Sequence, residues 1–239
     1  MTKYILISAM IFVQPSFKHS QLRNERVQVA YHEKEGLVKS YFTEKKISYN
    51  DFKLFIRAFK KEQQLEVWVA EKQKKTYTLL HTYAVCASSG ILGPKRKEGD
   101  QQVPEGVYSI NHFNPQSKFH LSLGLNYPNE SDLVLSDKSH PGSDIYIHGD
   151  CVTIGCLPLT DEKIKELYVM AVEAYDHGQE NIPVHIFPAR LSKHELDVLT
   201  HATPSNADFW RNLKIVYDDF ERTKKLSAIR INKSGEYRL

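Results

Sequence analysis

Residues 21–46 are mostly polar, with Val27, Tyr31, Val38, Tyr41 and Phe42 at loosely helical intervals, which predicts one or two helices leading into the domain. Three short runs follow, 53–59, 65–70 and 76–85, rich in β-branched and aromatic residues and separated by charged turns. That is the pattern of an antiparallel meander. Residues 88–106 read as loop, broken by Gly90, Gly93-Pro94, Gly99-Asp100 and Pro104-Glu105-Gly106. Strand signals return at 107–110, 120–125 and 145–148, with a polar loop around 129–142 between the last two. From Asp161 the period changes. Ile164, Leu167, Tyr168, Ala171, Val172 and Tyr175 share one helical face, with Thr160 or Asp161 as N-cap. A short strand at 184–187 ends at Pro188, and 192–199 and 207–226 read as two further helices. Strands first and helices later predict an α+β domain around an antiparallel sheet. Neither an internal repeat nor a low-complexity linker divides it.

Composition changes this picture little. A chain of 239 residues, 41% hydrophobic and 26% charged, can bury a real core. The formal charge, 32 − 29 = +3, is dispersed, so no nucleic-acid partner is expected. The N-terminus says more. Lys3, an apolar run at 4–13 and Pro15 outline a secretory signal over about residues 1–20. The run is shorter than the roughly 20 apolar residues of a membrane span, and its alternative reading is a buried first strand. The expected organisation is a signal at 1–20, a helical lead-in at 21–50, a catalytic core at 51–190, and helices at 191–239 packed on the same domain. The mature chain would be exported to the periplasm or cell envelope, with no transmembrane span. Cysteines 86, 151 and 156 are then odd in number for an oxidising compartment, which leaves at least one thiol free.

The chemistry concentrates in Ile147-His148-Gly149-Asp150-Cys151-Val152-Thr153-Ile154-Gly155-Cys156. Three readings compete for it. Cys151, Cys156 and His148 are ordinary buried residues, since Cys is among the most buried types. Alternatively, His140, His148, Cys151 and Cys156 form a metal site, although Cys-x4-Cys is loose for zinc. In the third reading Cys156 is a nucleophile with His148 as its general base and acid. Glycine before the cysteine permits a tight turn and close approach to a carbonyl, so the amides around Gly155 and Cys156, or that of Gly149, are candidate oxyanion donors. Spacing alone does not choose among the three.

The segment resembles the active-site signature of the L,D-transpeptidase catalytic domain (YkuD-type) family: His-Gly, a spacer, then Ser/Thr-x-Gly-Cys. His148-Gly149 and Thr153-Ile154-Gly155-Cys156 carry the match. The spacer is shorter than is usual in the family, Ile154 stands where His or Arg is common, and Pro158 replaces a polar residue. These departures are similar to a YafK-like subgroup. Residues 90–106 resemble the loop before the family's Pro-x-Gly strand, and residues 114–128 resemble the subgroup's next segment. The resemblance implies a β-sandwich-like core with flanking helices, several of them C-terminal, and no cofactor. It further implies that Cys156 attacks a peptidoglycan stem peptide and forms a thioester. That thioester would pass to an amine, that of a wall-attached protein among the candidates, or to water, which would make the chain a hydrolase with the same pair.

Secondary candidates are weaker. Lys95 and Arg96, in the glycine-rich loop, are candidates to meet substrate carboxylates, or are plain solvated charges. Tyr146 shares a strand face with His148 and Thr153 flanks the motif, so both are candidate cleft residues. A carboxylate or a backbone carbonyl is expected to orient the His148 ring; Asp144 and Asp150 are candidates, but both read more readily as solvent-facing acids and neither is assigned. Cys86 and Cys151 are candidates to pair, as are Cys151 and Cys156; the favoured expectation is that Cys151 is a small buried residue.

Overall fold

The computed structural model describes residues 16–239, so the expected export segment lies outside the described residues up to position 15. Two helices open the described chain, α1 (Phe17–Gln21) and α2 (Glu25–Lys45). Their starts are local chemistry: Ser16 and Asn24 lie in extended backbone and their side chains accept from the amides of His19 and Arg26. The meander follows as β1 (Phe52–Phe59), β2 (Gln64–Glu71) and β3 (Thr78–Ala84). After the long loop come β4 (Gly106–Asn114), β5 (Ser122–Leu125), α3 (Glu130–Leu135), β6 (Tyr146–His148) and β7 (Leu157–Pro158). The chain closes with α4 (Asp161–Asp176), β8 (Ile182–Phe187), α5 (Lys193–Ala202), α6 (Ala207–Thr223) and a small hairpin, β9 (Arg230–Ile231) with β10 (Tyr237–Arg238).

Eight strands form one curled sheet in the order β3-β2-β1-β8-β4-β5-β6-β7. Neighbours are antiparallel except β1–β8 and β6–β7, which are parallel. The α+β architecture with C-terminal helices is therefore as the sequence predicts. Strand alternation sorts the side chains onto two faces. Leu54 and Ile56 of β1, Val184 and Ile186 of β8, Leu123 of β5, Ile147 of β6 and Leu157 of β7 enter a core shared with α2 and α4. On the other face, Phe59 and Phe187 meet Trp210, Leu213 and Val216 of α6, while Phe55 and Trp68 meet Phe220. This second cover includes no residue of β5, β6 or β7. At that end of the sheet the outward face is left to loops.

Two elements differ from expectation. The polar stretch at 129–142 contains α3, started by a capping box in which the Asn129 side chain accepts from the Asp132 amide and the Asp132 side chain from the Asn129 amide. Its polarity hid a helix whose polar groups are consumed in starting it. Helix α4 was expected to bury one face, yet every residue from Ile164 to Ala174 is buried. It lies between the sheet and α2, and its carboxylates have internal partners. Glu166 accepts from Tyr83 at 2.8 Å and Tyr41 at 3.1 Å, and Glu173 accepts from Tyr31 at 2.8 Å. Among the described residues no helix is long and apolar enough to cross a membrane.

The long loop at 88–106 is anchored from beneath. Glu105 is fully buried; its carboxylate accepts from the Gly93 amide at 2.7 Å and from Trp210 of α6 at 2.7 Å, and pairs with Lys60 at 2.9 Å. Lys60 in turn donates to the carbonyls of Gly93 and Val103. The C-terminal helix thus holds both limbs of this loop.

Candidate active site

His148 is the last residue of β6, pointing away from the core on the face α6 leaves open. Its ring is 2% exposed and packs against Phe119, with centroids 4.8 Å apart. Nδ1 lies 2.5 Å from the carbonyl oxygen of Gly149. A carbonyl can only accept, so Nδ1 carries the proton and Nε2 keeps its lone pair. Burial holds the imidazole below its ordinary pKa of 6.5, with the Gly149 carbonyl and the Asp150 charge pulling it back up. The ring is therefore neutral at neutral pH. Gly149 has no room for a side chain: a Cβ there would stand 2.6 Å from Oδ1 of Asp161 and 2.9 Å from the Phe119 carbonyl. The Gly149 amide donates to the Leu121 carbonyl at 3.1 Å.

The loop from β6 to β7 folds back on Thr153. The Thr153 hydroxyl oxygen accepts from the amides of Cys156 (2.8 Å) and Gly155 (3.2 Å), and donates to the Cys156 carbonyl at 2.9 Å. Gly155 takes φ +134°, and a Cβ there would stand 3.1 Å from the Gln102 carbonyl. This turn delivers Cys156 to the start of β7. The register pairs Ile147 with Leu157, so Cys156 falls beside Tyr146 and on the same sheet face as His148. Cys156 is half-buried and is the free cysteine, with Sγ 3.6 Å from the Asp144 carbonyl. Burial pushes the thiol above its ordinary pKa of 9.0; the Tyr146 amide and Lys95 oppose this and the Asp144 charge reinforces it. At rest the pair is thus thiol and neutral imidazole, and a thiolate forms only when a base takes the proton.

The structure brings His148, Gly149, Tyr146, Thr153, Gly155 and Cys156 together, and gives several of them internal partners. Tyr146 lies over Gly124 of β5, where a Cβ would meet its ring at 3.1 Å. Lys95 is buried, and its ammonium donates to Asp100 at 2.7 Å and to the Lys97 carbonyl. Arg96 stacks on Phe209, 4.7 Å from the ring centroid, and faces Asp132. Both cations therefore shape the 88–106 loop. The His148 ring is oriented by a backbone carbonyl, not by Asp144 or Asp150.

One expectation is corrected. Cys151 is not a small buried residue: it is exposed and bonded to Cys86, with Cα atoms 5.5 Å apart. The Cys86 amide also donates to the Pro158 carbonyl. That contact brings the end of β3 beside the motif across 65 positions of sequence, which is why spacing could not reveal the pair. The disulfide also takes Cys151 out of the metal reading. Sequence reasoning gave Phe119, Gln102 and Asp161 no part in the site. Only Asp161 had a signal, as the first residue of a well-marked helix. A cavity of about 960 Å3 between β4, β8 and the segment 226–231 has none of these residues in its lining.

The model of the YkuD family, the L,D-transpeptidase catalytic domain, matches residues 53–186, a span that contains every residue of this site. The chain belongs to the L,D-transpeptidase catalytic domain family. A curated relative, YafK of Escherichia coli K12, carries the provisional name of an L,D-transpeptidase. It is 35% identical over 180 residues, covering 74% of this chain and 70% of YafK. Among solved structures, the helical cell shape determining protein Pgp2 of Campylobacter jejuni (K307A mutant) aligns with TM-score 0.47 and 17% identity, over 74% of this chain and 71% of that one. Bd1075 of Bdellovibrio bacteriovorus aligns with TM-score 0.41 and 25% identity, over 70% and 62%. Membership gives this L,D-transpeptidase-family chain an L,D-transpeptidase-type function directed at peptidoglycan.

Proposed function

We propose that the chain is an exported L,D-transpeptidase that works through a thioester on Cys156, with His148 as general base and acid. One observation carries this reading: the free cysteine, one residue before β7, and a neutral histidine with an unprotonated Nε2, at the end of the neighbouring β6, fall on the sheet face that α6 does not cover. Nε2 of His148 takes the thiol proton as Sγ attacks the carbonyl carbon of the third stem residue. The C–N bond to the D-amino acid breaks, and the same proton passes to the departing amine. An acceptor amine then attacks the thioester, gives its proton to His148, and releases the thiol. Water in place of the amine makes the outcome hydrolysis. The Gly155 amide, whose contact to Thr153 is the longer of the two, is the donor a substrate oxygen can most readily recruit. The Cys86–Cys151 disulfide supports export, because such bonds persist in oxidising compartments.

The test is incubation of purified protein with a stem tetrapeptide, with and without an amine acceptor. Release of the terminal D-amino acid and an acceptor-dependent cross-linked product are expected; D-amino acid and free tripeptide alone, with acceptor present, would make the chain a hydrolase. Intact-mass measurement after a carbapenem should show an adduct that Cys156→Ala lacks. Equal labelling of that variant would remove Cys156 from the mechanism, and turnover retained in His148→Ala would remove the base.

A further inference from the structure

The carbonyl that orients His148 belongs to the peptide unit between Gly149 and Asp150. A peptide unit is planar and trans, so its C=O and N–H point in opposite directions from one rigid plate. The N–H edge of this plate is that of Asp150, and it donates to Oδ1 of Asp161 at 2.9 Å. The C=O edge accepts from Nδ1 of His148 at 2.5 Å. One plate thus joins the Asp161 carboxylate to the imidazole, with a hydrogen bond at each edge.

Left alone, the plate would be free to swing. Gly149 is the most permissive residue on one side of it, and Asp150 on the other is held at φ 61°, a left-handed conformation uncommon outside glycine. A crankshaft rotation of this unit would take the carbonyl away from Nδ1 and free the ring to turn or change tautomer. Asp161 opposes it. Its own position is set by α4, whose first turn is capped by Thr160 accepting from the Lys163 amide. The absence of a side chain at position 149 belongs to the same device, since a Cβ there would strike the Asp161 oxygen at 2.6 Å.

We propose that Asp161 is a positioning residue for His148, acting through the Gly149–Asp150 peptide plane to hold the ring in its Nδ1-protonated orientation. The proposal rests on His148 being the base. Asp161 is exposed, so its charge is screened and geometry carries the effect. A hydrogen bond accepted from the N–H also polarises the amide and strengthens its carbonyl as an acceptor. The ordinary alternative is an acidic first-turn residue that only favours the helix dipole. That role would alter stability slightly and turnover not at all.

The experiment uses the full chain as wild type, Asp161→Ala, Asp161→Asn and His148→Ala, measuring kcat and KM on a stem tetrapeptide together with the thermal midpoint. Asp161→Ala removes the acceptor and should lower kcat about 100-fold, the scale of a misplaced catalytic group, with KM nearly unchanged. Asp161→Asn keeps an oxygen that can accept from the Asp150 amide and should restore most of kcat. Wild-type kcat in Asp161→Ala, beside an inactive His148→Ala, overturns the proposal alone. An Asn variant as impaired as the Ala variant, at an unchanged midpoint, overturns it as well. An active His148→Ala overturns the base assignment and the proposal with it.

Discussion

Thr153 shows how one side chain can build a site by serving the backbone around it. Its hydroxyl serves three backbone groups of the turn that presents Cys156, accepting from two amides and donating to one carbonyl. Thr153→Val keeps the shape and β-branching but deprives those groups of their partner. It should destabilise the protein by about 1–3 kcal/mol, the usual cost of unmade hydrogen bonds at partly buried groups. Urea denaturation measures that loss. The rate of Cys156 alkylation should change in the same variant, because the cysteine amide loses the contact that sets its direction. A variant with unchanged stability and alkylation rate would return Thr153 to the role of a cleft residue. The motif was legible at this scale because its residues are neighbours in sequence. What each one does was not, since a threonine two positions before glycine reads equally as substrate contact or as turn.

Among the elements, the β6–β7 connection depends on restraint from outside itself. Thr153 ties the turn from within, and two anchors reach it from elsewhere: Asp161 on the Asp150 amide, and the bond from Cys151 to Cys86 beyond the end of β3. The disulfide closes a loop with a sequence separation of 65, for which chain entropy predicts a contribution of about 4 kcal/mol. Cys86→Ser together with Cys151→Ser should lose stability on that order in urea. Hydrogen exchange should quicken across residues 149–155 before it quickens in β1 or β2. An unchanged exchange pattern would show that Thr153 and Asp161 suffice. The elements themselves were mostly legible, because β1–β6, α4 and α6 follow from period and turn residues. The two-residue strand β7 and the short helix α3 were not. Both are too short to show a period, and each is defined by what it pairs with or caps.

For the molecule as a whole, the C-terminal helices are part of how the site is held. Trp210 of α6 donates to Glu105, which also accepts from Gly93 and meets Lys60, so the 88–106 loop is fastened to the face opposite the main core. That same face buries His185 of β8 against Phe55, with Nδ1 unpartnered. Burial lowers its pKa from 6.5 to about 3, and the Arg57 charge adds to the shift. Between those values the unfolded chain binds a proton that the folded chain refuses. This contribution is therefore intact above 6.5 and is lost as pH falls toward about 3. Asp132 works in the opposite sense, because burial raises it from 3.8 to about 6. The informative quantity is thus the difference between wild type and His185→Phe. The variant should lose less unfolding free energy on acidification, read from urea curves at successive pH values. Parallel curves for the two proteins would show that His185 does not carry the acid sensitivity.

Two kinds of information separate cleanly in this protein. Periodicity, caps and turn residues, all local, determined that the chain makes a meander followed by helices. The adjacency of His148 with Gly149, and of Gly155 with Cys156, carried the family resemblance and marked the candidate site. An odd number of cysteines already left at least one thiol without a partner in the chain. Only the tertiary structure decided which one, because pairing depends on Cys86 and Cys151 coming within reach across the edge of the sheet. It likewise decided that a backbone carbonyl orients His148, that Asp161 holds that carbonyl's peptide plane, and that Lys95 and Arg96 turn inward. These outcomes depend on which distant segments meet, and on where a rigid peptide or a buried charge finds its partner. No spacing along a single chain encodes them.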